Sequence, residues 1–498
     1  FLEKNRGINK VCLLDFYLYL QELDEIRTMM RQNFNNHHTI AALVSEYEAM
    51  SQKGTVGFLE EKVFLQLIDY YQDQLQIDRA LEVVDHALAQ YNFSADFYIR
   101  KAQLLIESRQ EEKAIDSLEQ AQIYAPSEIG IFLLRVEILC SLGKHEEALI
   151  LLESIKPNAT GEDLNEIYLY EARICEYRQQ FEEMYYVLEK ILISDPRNKE
   201  ALERMWLCVE LSQKYKESIK LHTRLIDEHP YSHLAWFNLG HAYQATNQLK
   251  FAREAFEYAF IVNEKFQDAY KDCALVCYDL GDYKKALTCY EEVLEHFEPD
   301  SNILMNIGRC YQAMGDVSIA RAFYIKSVAL HPQNDDAHYF LAECYAIDEQ
   351  WKAAKESYRT AMRIENRKEE YYSGLAKACF ELGEEEEANN LLMRAIEVAP
   401  EQIYTWIQYA LFLMETGRFD HALDVLDDTC LNLTDDDPQL HYCRIACLFL
   451  KGRRQEALYR LGEVLSEYFD DYQLLFKFAP ELEDDIDILN LIERYRLY

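Results

Sequence analysis

Small and bulky apolar residues recur along this chain at helical spacing, on two short helices separated by a polar break. The pattern is clearest between residues 233 and 266, where the break falls at residues 246–248. The side chains that would form the apolar faces of the two helices are Trp236, Leu239, Gly240, Tyr243, Ala252, Phe256 and Ala259. This spacing of three and four residues predicts a hairpin of two amphipathic helices.

The same pattern repeats on both sides of this hairpin with a period of about 34 residues. From residue 61 onward it divides the chain into twelve units, ten of 34 residues and two of 36. The predicted units are 61–94, 95–128, 129–164, 165–198, 199–232, 233–266, 267–300, 301–334, 335–368, 369–402, 403–438 and 439–472. One hairpin cannot bury its apolar stripe alone, so the units are expected to stack on one another.

The order Trp, Leu-Gly, Tyr, then Ala, Phe and Ala, with Pro230 before the unit, resembles the tetratricopeptide repeat. The resemblance implies an all-α, right-handed superhelical solenoid of about twelve helix-turn-helix repeats with helical caps. In its aromatic and acidic style, the sequence also resembles cytoplasmic repeat proteins of Bacteroidota bacteria. Gly240 and Ala252 are small because the two helices cross closely there. Met184 and Trp206 replace such small residues, so we expect the helices to splay in their units, with a local change of pitch between residues 184 and 218.

The two ends of the chain do not fit the repeat. Residues 1–60 predict a long helix over Lys10–Phe34 and a second over Ile40–Gln52, which form either a cap on the first hairpin or an arm. Residues 473–498 predict a C-terminal capping helix that follows Pro480. The chain starts with Phe1, so an earlier segment, including a signal peptide, stays open.

Charge narrows the classes of partner. The 498 residues include 51 Lys and Arg against 88 Asp and Glu, which gives a net charge of −37. Such a chain repels nucleic acid and anionic membrane surfaces, and it favours protein or peptide partners of basic or amphipathic character. The sequence contains no apolar run long enough to span a membrane. Most of the 13 cysteines, such as Cys175, Cys277 and Cys379, lie at apolar helix places, which favours a reducing, cytoplasmic location.

The resemblance also implies where a partner would bind. In this family the first helices of successive hairpins line a concave groove, through places 2, 5, 6, 9, 12 and 13 of each unit. The candidate groove residues of the middle units are Asn238, His241, Lys271, Asp272, Met305, Asn306, Arg309, Gln312, Tyr339 and Glu343. In the upstream unit 165–198, the same groove places include Tyr170. Asn side chains can hold a peptide backbone, and Lys or Arg can hold a carboxylate. The family's two-carboxylate clamp is incomplete, because Asp336 and Phe340 stand at its next basic places.

The chain offers little for catalysis or metal binding. It contains no phosphate-binding, zinc-protease or serine-hydrolase motif, so we expect no enzyme, no cofactor and no metal site. Cys273 and Cys277 fall on core places, whereas Cys443 and Cys447 fall on groove places, and neither pair supplies the four ligands of a zinc site. The acidic run Glu384–Glu387 is expected to be a solvated start of a helix.

Three functions follow from these expectations. The first is a non-enzymatic scaffold or adaptor that binds a protein segment in the groove. The second is a sensor whose superhelix changes when a peptide binds. The third is a structural protein that associates with itself through its N-terminal arm. The sequence leaves the partner, pathway, organism and oligomeric state open.

Overall fold

The computed structural model describes residues 40–52, 56–432 and 437–496. Within these ranges the chain is helical and contains no β-strand. The helices fall into two compact units, which meet in sequence between Pro230 and Tyr231. The predicted helix over Lys10–Phe34 lies outside the described residues.

The first unit begins with α1, which spans residues 40–52, and continues as five helix pairs. The first helix of each pair is α2 Glu61–Asp73, α4 Ala95–Glu107, α6 Ile129–Ser141, α8 Glu162–Tyr177 and α10 Lys199–Ser212. The second helix is α3 Ile77–Gln90, α5 Glu111–Tyr124, α7 His145–Ile155, α9 Phe181–Ser194 and α11 Tyr215–Glu228. A 3-10 turn at Lys156–Asn158 follows α7, and α8 begins before the repeat boundary predicted at residue 165.

The second unit contains seven further pairs and two terminal helices. The first helix of each pair is α12 His233–Ala245, α14 Gln267–Asp279, α16 Ser301–Ala313, α18 Asp335–Ile347, α20 Glu369–Glu381, α22 Ile403–Glu415 and α24 Pro438–Leu450. The second helix is α13 Leu249–Val262, α15 Tyr283–His296, α17 Val317–Leu330, α19 Trp351–Ile364, α21 Glu385–Val398, α23 Phe419–Asn432 and α25 Arg454–Glu467. The terminal helices are α26 Gln473–Phe478 and α27 Ile486–Arg496. Each unit is therefore an α-solenoid of stacked hairpins, the fold class that the sequence predicts.

The predicted close crossings are present, and an aromatic ring fills each of them. A Cβ atom added to Gly240 would lie 2.5 Å from the ring of Phe256 on the paired helix. At Gly308 the same atom would lie 2.6 Å from the ring of Tyr324. Because real Cβ atoms do not approach rings this closely, glycine is required at both places.

The pair α10–α11 departs from the others, as Trp206 predicts. Its two helices approach each other far less than the helices of every other pair in the described chain. The Trp206 side chain is 37 % exposed rather than buried between them. The same expectation is wrong for Met184, whose side chain is buried while α8 and α9 pack closely. Methionine is unbranched and flexible, so it fits a crossing that a tryptophan cannot.

Helices cover the outermost pairs at both ends of the described chain. On α1, Tyr47 bonds to His86 of α3 at 2.8 Å and Glu48 pairs with Arg79 of α3 at 2.8 Å. At the other end, α26 packs against α24 and α27 packs against α25. These contacts bury apolar faces that would otherwise meet solvent.

The cysteines at apolar helix places are buried, as predicted for Cys175, Cys277 and Cys379. Burial raises the pKa of the Cys175 thiol to about 11, with Glu171 adding to the shift. A thiol with a raised pKa stays protonated and reacts slowly. The prediction that Cys443 and Cys447 face a groove is wrong, because both are fully buried. Their helix, α24, is covered by α26.

Candidate functional site

The ten candidate groove residues lie on the first helices α12, α14, α16 and α18 of the second unit. Asn238 and Met305 are buried, with 4 % and 9 % of their surface exposed. The remaining eight are half-buried. The side chains therefore contribute unequally to any surface that a partner could contact.

Two of the candidates meet across neighbouring first helices. His241 Nε2 on α12 lies 3.2 Å from Asp272 Oδ2 on α14. The His241 ring also packs edge-on against Phe237 and Phe256, at centroid distances of 4.5 and 5.1 Å. Lys271 faces the acidic start of its own helix, with its ammonium 3.7 Å from Asp268 Oδ1.

Arg309 is held by neighbours on three first helices. Its guanidinium lies over the ring of Tyr278 at 4.7 Å and over the ring of Phe340 at 5.4 Å. Its Nη1 also donates to Asn306 Oδ1 at 3.3 Å. Cation–π contacts and this hydrogen bond fix the orientation of the side chain. Phe340, which breaks the family's clamp in the sequence, thus orients the arginine that remains.

Three further candidates contact aromatic side chains. Tyr324 donates to Gln312 Oε1 at 2.7 Å, and the hydroxyl of Tyr358 donates to Glu343 Oε1. The Tyr339 ring lies 5.2 Å from Tyr371 and 5.8 Å from Tyr358. Burial, followed by the charge of Glu343, raises the pKa of Tyr339 above its usual value. These polar groups are therefore partly satisfied within the chain.

A distinct cleft of about 390 Å³ lies in the first unit, between the first helices α4, α6 and α8. Its walls are formed mainly by residues at the places that the family resemblance assigned to a groove. The lining residues are Gln72, Ile99, Arg100, Gln103, Ile106, Glu107, Gly130, Leu133, Leu134, Glu137, Glu166 and Tyr170. The placement rule therefore selects a concave surface here, although the ten candidates named from the sequence lie in the other unit.

The cleft combines an apolar wall with acidic side chains, two of which form no ion pair with a described residue. Its one arginine, Arg100, already pairs with Asp69 at 2.5 Å. Glu137 and Glu166 are exposed and pair with no cation within the described residues. Burial and then the charge of Glu137 raise the pKa of Tyr170, whose ring also carries the Arg173 guanidinium at 5.1 Å. A basic group entering the cleft would meet negative charge beside aliphatic side chains.

Two clusters have the spacing of metal ligands in the described part of the chain. In the first, Cys379 lies beside Glu384 and Glu387, but the ammonium of Lys355 already binds both carboxylates, at 2.8 Å in the case of Glu387. The run Glu384–Glu387 begins α21, and its first three residues are exposed, as expected. The ion pairs with the buried Lys355 were not predicted. The second cluster, Glu292, Glu295 and His296, is exposed apart from a half-buried Glu292.

Comparison with known families identifies the repeat. Family models described as tetratricopeptide repeat match residues 267–300, residues 305–366, and residues 95–127 and 369–402. These segments of the chain carry tetratricopeptide repeats. Two of the matched segments, 267–300 and 369–402, have the same bounds as units placed from the sequence pattern.

Several proteins with tetratricopeptide repeats are similar to the chain. Human tetratricopeptide repeat protein 16 is 23 % identical over 273 residues, which cover 48 % of this chain and 31 % of that protein. The TPR repeat-containing protein YpiA of Bacillus subtilis is 20 % identical over 404 residues, covering 78 % of this chain and 90 % of that protein. The match thus spans about a third of the length of the human relative. The stylistic resemblance to Bacteroidota proteins stays an expectation.

Two solved structures also match the chain. The crystal structure of the APC/C hetero-tetramer Cut9-Hcn1 matches with a TM-score of 0.38 and 13 % identity, covering 88 % of this chain and 96 % of that chain. YrrB, described as a TPR protein with an unusual peptide-binding site, matches with a TM-score of 0.31 and 16 % identity over 37 % of this chain and 95 % of that chain. Among the described helices, none has the length and apolarity needed to cross a membrane.

Proposed function

We propose that this chain is a non-enzymatic scaffold that binds a segment of another protein on its first-helix face. The observation that carries the proposal is the cleft between α4, α6 and α8, lined from the places that face the groove in tetratricopeptide repeats. A repeat fold specifies how helices pack and does not specify which ligand binds, so the proposal depends on the cleft and not on the fold.

The lining favours a basic, amphipathic segment. Ile106 and Leu134, which are half-buried, offer aliphatic surface, and Glu137 and Glu166 offer carboxylates on neighbouring helices. Gly130 leaves one part of the α6 surface without a side chain, so a bound backbone can approach it closely. An extended or helical segment that alternates apolar and basic residues matches this surface.

The test uses peptides that are selected from a random display library for binding to the full chain. Glu137→Lys with Glu166→Lys should weaken the selected peptides by at least about ten-fold, because it replaces attraction by repulsion in a partly desolvated cleft. The matched control is Glu112→Lys with Glu119→Lys, two exposed glutamates on α5 that make the same change in net charge. Fluorescence anisotropy measures the affinities.

A second variant separates the apolar wall from charge. Leu134→Asp should also weaken the peptides, since it places another carboxylate on aliphatic surface that the peptide would bury. Circular dichroism checks that each variant keeps its helices. Peptides that bind the cleft variants and the control variant equally well would refute binding at this cleft.

A further inference from the structure

A second cleft, of about 460 Å³, lies on the second-helix side of two neighbouring hairpins in the second unit. It runs between α13 and α15, with the start of α14 at one end. Its lining residues are Phe260, Ile261, Glu264, Tyr270, Lys285, Thr288, Cys289, Glu292 and His296. This surface belongs to neither the candidate groove residues nor the cleft in the first unit.

The floor of this cleft is aromatic and aliphatic. The rings of Phe260 and Tyr270 are stacked, with centroids 4.2 Å apart and planes inclined by 10°. Ile261 stands beside them with 64 % of its surface exposed, which is high for an isoleucine in a folded chain. A long aliphatic stem could therefore cover apolar surface that now meets water.

The rim of the cleft carries more carboxylates than cations. The ammonium of Lys285 already lies 3.2 Å from Glu257 Oε1, outside the cleft lining. Glu292 has His296 Nε2 as its nearest basic atom, at 3.4 Å, and Glu264 pairs with no cation among the described residues. Glu295 lies beside these groups and adds a third carboxylate.

Tyr270 is a buried polar side chain at this cleft. Its surface is 8 % exposed, and its hydroxyl makes no hydrogen bond to the residues that the structure describes. Burial, then the charges of Glu292 and Glu264, raise the pKa of this hydroxyl. The hydroxyl is thus a neutral group close to two carboxylates, free to accept a hydrogen bond from a ligand.

We propose that the cleft between α13 and α15 is a docking site for an arginine or lysine side chain from a basic segment of a partner protein. The cationic head would lie between the Glu264 and Glu292 carboxylates, with Tyr270 Oη accepting a hydrogen bond. The aliphatic stem would cover Ile261 and the edge of the Phe260–Tyr270 stack. An aliphatic stem ending in a cation matches both the floor and the rim, whereas an anion or a purely apolar ligand matches only one of them or neither.

The probe is a fluorescein-labelled peptide that alternates leucine and arginine, compared with a peptide in which citrulline replaces each arginine. The full chain should bind the arginine peptide at least about ten-fold more tightly, because citrulline keeps the shape and loses the charge. Glu264→Lys with Glu292→Lys should remove this preference. The control, Glu254→Lys with Glu291→Lys, makes the same charge change at exposed residues of α13 and α15 and should leave the preference in place.

Other outcomes locate the binding elsewhere. If Glu264→Lys with Glu292→Lys and the control Glu254→Lys with Glu291→Lys lost affinity for the arginine peptide equally, the binding would be unspecific attraction to an acidic protein. This result would overturn the proposal. If only Glu137→Lys with Glu166→Lys lost affinity for the arginine peptide, the peptide would bind in the first unit. That result would support the proposed function and would refute this second site. Binding of Zn²⁺ that Glu292→Lys abolishes, without arginine-dependent peptide binding, would replace the proposal by a metal site. Tyr270→Phe, which keeps the ring stack, should weaken the arginine peptide by about two- to five-fold.

Discussion

At the twenty-fourth place of most units, a bulky side chain lies between the helices of a hairpin. Phe256, Tyr290, Tyr324 and Tyr358 occupy this place in four successive units and are all buried. In unit 199–232 the same place holds His222, which is also fully buried. Its Nδ1 lies 2.9 Å from Ser218 O, and its Nε2 is buried without a hydrogen-bond partner in the described chain.

This histidine should make the stability of α11 depend on pH. Burial lowers the pKa of His222 from 6.5 to about 4, so the folded chain keeps it neutral where the unfolded chain binds a proton. Its contribution is complete above pH 6.5 and is lost as the pH falls toward 4. Between pH 7 and pH 5 the opening free energy of α11 should fall by about 2 kcal/mol more than in His222→Leu. Hydrogen exchange of residues 215–228 measures it, and parallel pH profiles in both proteins would contradict the prediction.

The glycine crossings predict a second effect of one residue. Gly308→Ala should destabilise α16 and α17 by about 1–3 kcal/mol, because the new methyl would lie 2.6 Å from the buried Tyr324 ring. Gly130→Ala is the control, since its Cβ would lie 3.6 Å from the nearest side-chain atom, Glu128 Oε1. There alanine should be neutral or stabilise the helix by up to about 1 kcal/mol. Opening free energies from hydrogen exchange compare the two, and equal effects would argue against tight packing at Gly308.

At the scale of helices, Asp485 fixes the start of α27. Its Oδ1 accepts hydrogen bonds from the backbone N–H of Asp487 and Ile488, at 3.0 and 3.3 Å. Its carboxylate also pairs with Arg454 of α25 at 2.6 Å. These contacts lower the pKa of Asp485 to about 2, with the Arg454 hydrogen bond as the largest cause. The carboxylate therefore supports α27 above pH 4 and loses this role as the pH falls toward 2.

Substitutions of Asp485 should separate its two roles. Asp485→Ala should lower the opening free energy of α27 by about 1 kcal/mol or more, because the helix loses its N-cap. Asp485→Asn keeps a capping side chain and loses only the charge, so its effect should be smaller. The neighbouring Asp484 is exposed, and Asp484→Ala serves as the control. Hydrogen exchange of residues 486–496 reports the effect, and faster exchange in the control than in Asp485→Ala would contradict it.

The helix pairs could be predicted because the signal is local. Gly240, Ala252 and Phe256 lie within one hairpin, and their spacing along the chain is enough to place both helices. The groove places that the family resemblance implies also include the walls of the cleft around Leu134 and Glu137. Which unit would offer an open concave surface depends on side chains of several hairpins, and no single repeat carries that information.

Contacts between neighbouring hairpins were harder to predict. Lys355 binds Glu384 and Glu387, about one repeat further along the chain, so the acidic run alone gave no sign of its partner. The burial of Cys443 depends on α26, which belongs to the irregular C-terminal segment. Gly374 lies near the middle of α20, and a Cβ atom added to it would lie 2.5 Å from the Tyr358 ring of the preceding hairpin. The sequence signal for this crossing was a glycine at a place that the rule assigned to the groove.

For the whole molecule, packing between nearest neighbours means that a complete repeat should be removable. Unit 301–334 is suited to this test because three buried polar side chains that bond to one another all lie within it. Ser301 bonds to Ser327 at 2.9 Å, and Asn334 donates to Ser301 at 2.9 Å. Removing residues 301–334 removes these three side chains together, and the buried backbone N–H of Ala337, which donates to Asn334, then needs a new acceptor.

The new junction should also form a proper helix start. Asp300 caps α16 by accepting from Asn302 N at 3.1 Å, and Asn334 caps α18 by accepting from Ala337 N at 3.0 Å. After the deletion, Asp300 would precede α18, and aspartate is as good a cap as asparagine. Ala337, Leu341 and Cys344 would then face α15 at the places that Ile303, Ile307 and Cys310 hold. The smaller Ala337 costs some packing and leaves the register unchanged.

We expect the chain without residues 301–334 to keep its helical content per residue and to melt cooperatively at a somewhat lower temperature. Deleting residues 301–316 alone should be far more damaging, because α17 would then follow α15 and present a second helix where a first helix must pack. Circular dichroism and size measurement by light scattering compare the two deletions. If both deletions lost structure to the same extent, the second unit would behave as one cooperative body, and stacking between nearest neighbours would not describe its stability.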